Sequence, residues 1–169
     1  MVCTLFPSHD DHLPMPRLVC VICFPGQIGC VTADDMHPCI LTFDSISHLS
    51  SQGMTKIHQT LREYLSCEWK TKINGAQENV FSKENMVGAS PEVQLQHNGT
   101  DCGVYLIQYI ESFFTDTRIN FRLPICSLKE LFTTEMVEKK RNDIASLIRK
   151  LAKEQNPGKV FEFPKLNFN

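Results

Sequence analysis

Two apolar runs, Leu18-Val19-Cys20-Val21-Ile22-Cys23-Phe24 and Cys39-Ile40-Leu41-Thr42-Phe43, limit what this chain can fold into more than any other feature. Neither has a polar face alternating with an apolar one, so each reads as a central strand buried on both sides. Pro25-Gly26 ends the first, Pro38 and Asp44 bound the second, and residues 27–37 between them, with Gly29, Thr32 and Asp34-Asp35, suit a short hairpin-like connection. Helical spacing supplies the cover such strands need. Residues 55–69 place Ile57, Leu61, Tyr64, Leu65 and Trp69 on one helix face, residues 106–114 are rich in apolar and aromatic side chains without Gly or Pro, and residues 137–151 align Val137, Ile144, Leu147, Ile148 and Leu151. Residues 70–88 are polar and hold Asn74-Gly75, which predicts a loop with at most a short strand. Residues 93–96 read as a strand, and residues 115–124 turn the chain. Helices before, between and after a few short strands predict an α/β or α+β sandwich.

Composition narrows the setting. A chain of 169 residues that is 42% hydrophobic suits one domain, able to bury roughly 70% of its unfolded surface. The formal charge of −2, with mixed signs along the chain, gives no pull toward nucleic acid or an anionic membrane. The apolar stretches are too short to span a bilayer, and residues 1–16 lack the basic flank and apolar core of an export signal. Eight cysteines are too few to mark a disulfide-stapled secreted domain, so a reduced compartment is expected.

The chemistry concentrates at Gln96-His97-Asn98-Gly99-Thr100-Asp101-Cys102-Gly103-Val104-Tyr105. Here a cysteine opens an apolar helix, with Thr100 or Asp101 as the N-cap. Unpaired N–H groups and the positive end of the helix dipole favour an anionic sulfur there, which makes Cys102 a candidate nucleophile. Gln96, six residues earlier, can offer an N–H to an oxyanion formed when Cys102 attacks a carbonyl.

Gln, four residues, then Asp-Cys-Gly and an apolar helix resembles the nucleophile motif of the ubiquitin-like-protease family of cysteine isopeptidases, the enzymes that remove SUMO. The similarity continues through Leu61-Arg62-Glu63-Tyr64-Leu65, Glu68-Trp69, Phe81-Ser82-Lys83-Glu84-Asn85-Met86, the helix from Tyr105 to Phe114, and Phe121-Arg122-Leu123-Pro124. These look like the sentrin/SUMO-specific proteases, and among them the branch that edits SUMO chains. The resemblance spans residues 18–151 almost continuously. It implies a papain-like cysteine-protease fold, no cofactor, SUMO and SUMO-conjugated proteins as partners, a monomer, and a nuclear location. It also implies that Asp44, in Phe43-Asp44-Ser45 at a strand end, orients the base imidazole.

The third member of such a triad departs from the pattern. The family's His begins the strand before the one carrying Asp, and aligning residues 21–25 with that strand puts Pro16 in its place and Arg17 where a Trp is expected. Proline accepts no proton. His12 is the nearest substitute, four residues earlier and about 13 Å away in an extended chain; His9, His37, His48, His58 and His97 rank below it. The residues before the strand, with Ser8-His9-Asp10-Asp11-His12 and three prolines, do not resemble the family's N-terminal region, which predicts a truncated or alternatively begun catalytic domain. Three divisions follow: an atypical segment at 1–16, a partial catalytic domain at 17–155, and a tail at 156–169.

A metal site is the competing chemistry, since Cys20, Cys23, Cys30, His37 and Cys39 lie within twenty residues. On a strand, residues three apart face opposite sides, so Cys20 and Cys23 cannot share a zinc, and buried core thiols are expected instead. No phosphate loop, paired acid/base carboxylates or aromatic-studded basic stripe appears. Three functions therefore stand: a thiol isopeptidase, a pseudoprotease that binds SUMO without cutting it, and an incomplete product with neither property.

Overall fold

The computed structural model describes residues 18–26, 37–47, 50–72, 81–116, 125, 127–158, 160 and 162, with residues 2–6 and 27 as backbone. Four strands form one sheet in the order β1 (Val2–Phe6), β2 (Leu18–Cys23), β3 (Cys39–Asp44), β4 (Val87–Ala89). The β1–β2 and β2–β3 pairs are antiparallel and β3–β4 is parallel. Two helices, α1 (Ser51–Lys72) and α2 (Cys102–Thr115), belong with the sheet to the unit Met1–Phe132, while α3 (Thr134–Gln155) lies in a second compact unit, Thr133–Asn169.

Both apolar runs are central strands, and every residue of β2 and β3 is buried. Their alternation divides the cover between two helices. Leu18, Cys20, Ile22 and Ile40 form one cluster with Leu61 of α1, Phe81 and Met86, and Ile57, Leu65 and Trp69 pack against it. Phe43 faces the other way, with ring centroids 5.7 Å from Tyr109 and 5.4 Å from Phe113 of α2. Each large side chain so buried contributes about 1.5–3 kcal/mol, so the sheet is held mainly by what covers its two faces.

Helix α1 starts four residues before the predicted span because Ser50 caps it, its Oγ accepting the Gly53 N–H at 3.2 Å. Its far end anchors residues 81–86: Trp69 meets Phe81 edge-on at 6.0 Å, and Arg62 Nε donates to the Met86 carbonyl at 2.9 Å. The strand expected at 93–96 does not form. Pairing with β3 occurs earlier, at Val87–Ala89, within the stretch read mostly as loop. Residues 93–96 are held instead by single contacts, among them the Gln96 N–H donating to the Ser45 carbonyl at 2.9 Å. Strand β1 was not anticipated, although Val2-Cys3-Thr4-Leu5-Phe6 carries strand-favouring residues. The connection proposed over residues 27–37 falls largely outside the described residues, as do the turn over 117–124 and the tail beyond 162. On α3 the stripe forms a helix as predicted, but Val137 is buried while Leu147, Ile148 and Leu151 are exposed.

Gly88 in β4 lies directly against the His58 ring of α1. A Cβ built there would lie 2.1 Å from Nδ1 of His58, whose ring is buried and bonded through Nε2 to Thr42 Oγ1 at 2.8 Å. The ring cannot swing aside without breaking that bond. Gly88→Ala is expected to destabilise the chain by about 1–3 kcal/mol in urea unfolding, and the loss should shrink in a His58→Ala background, where the obstructing ring is gone.

Candidate active site

The start of α2 is fixed by the loop before it. Asn98 Oδ1 accepts the N–H groups of Thr100 and Asp101, both at 2.9 Å, and its Nδ2 donates to Asp101 Oδ2 at 2.8 Å. Asp101 is the N-cap residue, with its carbonyl accepting the N–H groups of Val104 and Tyr105. Its side chain, however, makes no capping bond; it is turned toward Asn98. Cys102 thus becomes the first residue of α2, half-buried with a free thiol.

Asp44 closes β3 and is 6% exposed, with Oδ1 accepting the Ile46 N–H at 3.0 Å in a local turn. Its charge is felt across the interface with α2. Burial, and then the neighbouring Tyr105 and Asp44, push the Tyr109 phenol well above its usual range. The Tyr109 hydroxyl donates to the Gln94 carbonyl, which ties α2 to the segment leading into the nucleophile loop.

Gln96 joins these parts. Its N–H donates to the Ser45 carbonyl, its Oε1 accepts from Ser45 Oγ at 2.7 Å, and its Nε2 donates to the Asn98 carbonyl. A continuous run of covalent and hydrogen bonds therefore leads from Asp44 through Ser45, Gln96, Asn98 and Asp101 to Cys102. The three residues singled out from the sequence are brought into one connected substructure. No imidazole joins it among the described residues: His37 and His97 are exposed, and the Cys102 thiol makes no hydrogen bond there. Pro16 and the substitute candidate His12 lie outside the described residues, as do His9 and His48.

His58, ranked low from sequence, has a definite structural place. It is 7% exposed, and burial, with Arg62 adding repulsion, lowers its pKa from 6.5 to about 4, so the ring is neutral. It lines a cleft of about 500 Å³ together with Thr42, Asp44, Met54 and Val93. Its position three residues before the buried Leu61 was the signal that placed it on the inner face of α1. The Cys20 thiol lies 3.3 Å from Thr42 Oγ1 and extends this polar contact into the sheet. Cys20, Cys23 and Cys39 are buried thiols outside any disulfide, as expected for core cysteines, and Cys23 and Cys39 are direct partners across β2 and β3. Among the described residues no cluster of three or more His, Cys, Asp or Glu is arranged to hold a metal ion. No described helix is long and apolar enough to cross a membrane.

Residues 18–156 match the C-terminal catalytic domain of the Ulp1 protease family, and the chain belongs to that family. It is 47% identical over 151 residues to human sentrin-specific protease 7, covering 89% of this chain and 12% of that protein. Mouse sentrin-specific protease 6 is 43% identical over 122 residues, covering 72% of this chain and 10% of the relative. The chain thus spans about a tenth of the length of these curated relatives. A crystal structure of a de-sumoylating protease superposes with a TM-score of 0.52 at 19% identity, covering 89% of this chain and 60% of that one; the likeness establishes the α/β fold of the family.

Acid should expose the cost of keeping His58 neutral. Unfolded, the imidazole takes up a proton near pH 6.5; folded, it resists until about pH 4. Stability is therefore expected to fall as pH drops through that window, by a total on the order of 3 kcal/mol, with no further loss from this group below it. Urea midpoints at pH 7, 5.5 and 4.5 should show this slope, and His58→Gln should flatten it.

Proposed function

We propose that the chain is the catalytic part of a cysteine isopeptidase acting on SUMO conjugates, with SUMO chains as the preferred class. The observation that carries this reading is the bonded connection of Asp44, Gln96 and Cys102 described above, in a chain whose relatives are named sentrin-specific proteases. Cys102 sulfur attacks the Gly–Lys isopeptide carbonyl, the thiol proton passes to an imidazole, and the carbonyl electron pair moves to oxygen. Gln96 Nε2 has a second hydrogen beyond the one given to Asn98, and with the Cys102 N–H it holds that oxyanion. Collapse breaks the C–N bond, the imidazole protonates the leaving lysine amine, and water then hydrolyses the thioester. Asp44 orients the imidazole.

A second reading, SUMO binding without cleavage, is favoured by one observation: no imidazole reaches Cys102 among the described residues. Loss of the base lowers the rate by several orders of magnitude, judged from triad deletions in other hydrolases. Both readings are separated by incubating the purified chain with SUMO chains, with ubiquitin chains as the specificity check. Cleavage that Cys102→Ser abolishes and His12→Ala reduces at least a hundredfold is the outcome expected of an enzyme. Retained SUMO binding with no cleavage identifies the pseudoprotease, and loss of both rejects the SUMO assignment.

A further inference from the structure

We propose that Ser45 is a positioning residue for the oxyanion glutamine, an inference that rests on the catalytic reading above. A glutamine amide has two unlike ends: Oε1 only accepts and Nε2 only donates, so Gln96 assists an oxyanion in one orientation of its amide and opposes it in the other. Rotation about the last side-chain bond exchanges them. The Asn98 carbonyl sets the choice, and Ser45, whose hydroxyl can donate or accept, then holds the other end of the amide in place. Ser45 Oγ donates to Oε1 at 2.7 Å, and Nε2 donates to the backbone carbonyl of Asn98, a group that cannot donate in return. A flipped amide would set carbonyl oxygen against carbonyl oxygen at Asn98.

Ser45 is suited to this task by its surroundings. It is 0% exposed, so water does not compete for its hydroxyl, and among the described residues that hydroxyl bonds only Gln96. The same residue accepts the Gln96 N–H through its backbone, so backbone and side chain of Gln96 are both referenced to one point. That point follows Asp44 directly. The strand end that supplies the imidazole-orienting carboxylate therefore also orients the oxyanion donor, and a shift of β3 would move both together.

The test uses a reaction that needs no imidazole. A short peptide aldehyde ending in Gly-Gly adds to Cys102: the S–C bond forms, the carbonyl π pair moves to oxygen, and the thiol proton ends on that oxygen. Gln96 then faces an oxygen like that of the isopeptide intermediate. Adduct affinity is measured for the full chain, Ser45→Ala, Gln96→Ala and the double variant, with the iodoacetamide alkylation rate of Cys102, which creates no oxyanion, as a control. Ser45→Ala should weaken the adduct about tenfold and Gln96→Ala more, while the double variant should be no weaker than Gln96→Ala alone and alkylation should change less than twofold. An equal Ser45→Ala loss with or without Gln96, or a matching change in alkylation, would reduce Ser45 to a structural role. A silent Ser45→Ala beside a damaging Gln96→Ala overturns the positioning role and leaves the isopeptidase reading intact. Failure of the unmodified chain to form any adduct overturns both.

Discussion

The burial of β3 on both faces is the constraint from which the rest of this molecule follows. A strand with apolar side chains on both faces requires cover above and below, and strict alternation sends Ile40 and Thr42 toward α1 while Phe43 meets α2. Slipping the strand by one residue would place Phe43 against His58 and Thr42 among the rings of α2. Both exchanges are unfavourable, so the register is fixed. With it is fixed the position of Asp44 at the strand end, where the sheet stops and loop chemistry can begin.

Two groups of polar contacts among the described residues have different consequences. The contact between Cys20, Thr42 and His58 lies between sheet and helix, where burial keeps the imidazole neutral, and it stabilises one arrangement of α1 while leaving it sensitive to acid. The series from the buried Ser45 through Gln96, Asn98 and Asp101 runs outward to the margin, where the later members are partly or fully exposed and the half-buried thiol of Cys102 can be approached. The first group holds the scaffold and the second places functional groups. A family match covering residues 18–156 together with a fold likeness at low identity fits this division: the scaffold is common property, while chemistry depends on a few side chains.

Placement of an imidazole decides between an enzyme and a binding protein built on the same frame. Asp44, Gln96 and Cys102 are connected through the strand end and the nucleophile loop, so their placement is settled locally. For cleavage, a general base would have to arrive from another part of the chain. His58 does not supply it. Its ring is occupied by Thr42, and burial, with the Arg62 charge adding repulsion, keeps it uncharged at neutral pH.

Much was legible in the sequence because it was local or periodic. The two apolar runs gave central strands, helical spacing gave α1, α2 and α3, and Asp-Cys-Gly before an apolar run gave a helix beginning at Cys102. The amino-acid sequence alone thus determined the layers and offered the candidate residues. Tertiary structure decided what depends on distant partners. The strand beside β3 is Val87–Ala89 rather than residues 93–96, and Gly88 in it leaves the room that the His58 ring of α1 occupies. Strand β1 forms because β2 offers it an edge. Ser45 showed no signal in the sequence, since its hydroxyl acquires a role only when residue 96, fifty-one positions later, is folded against it.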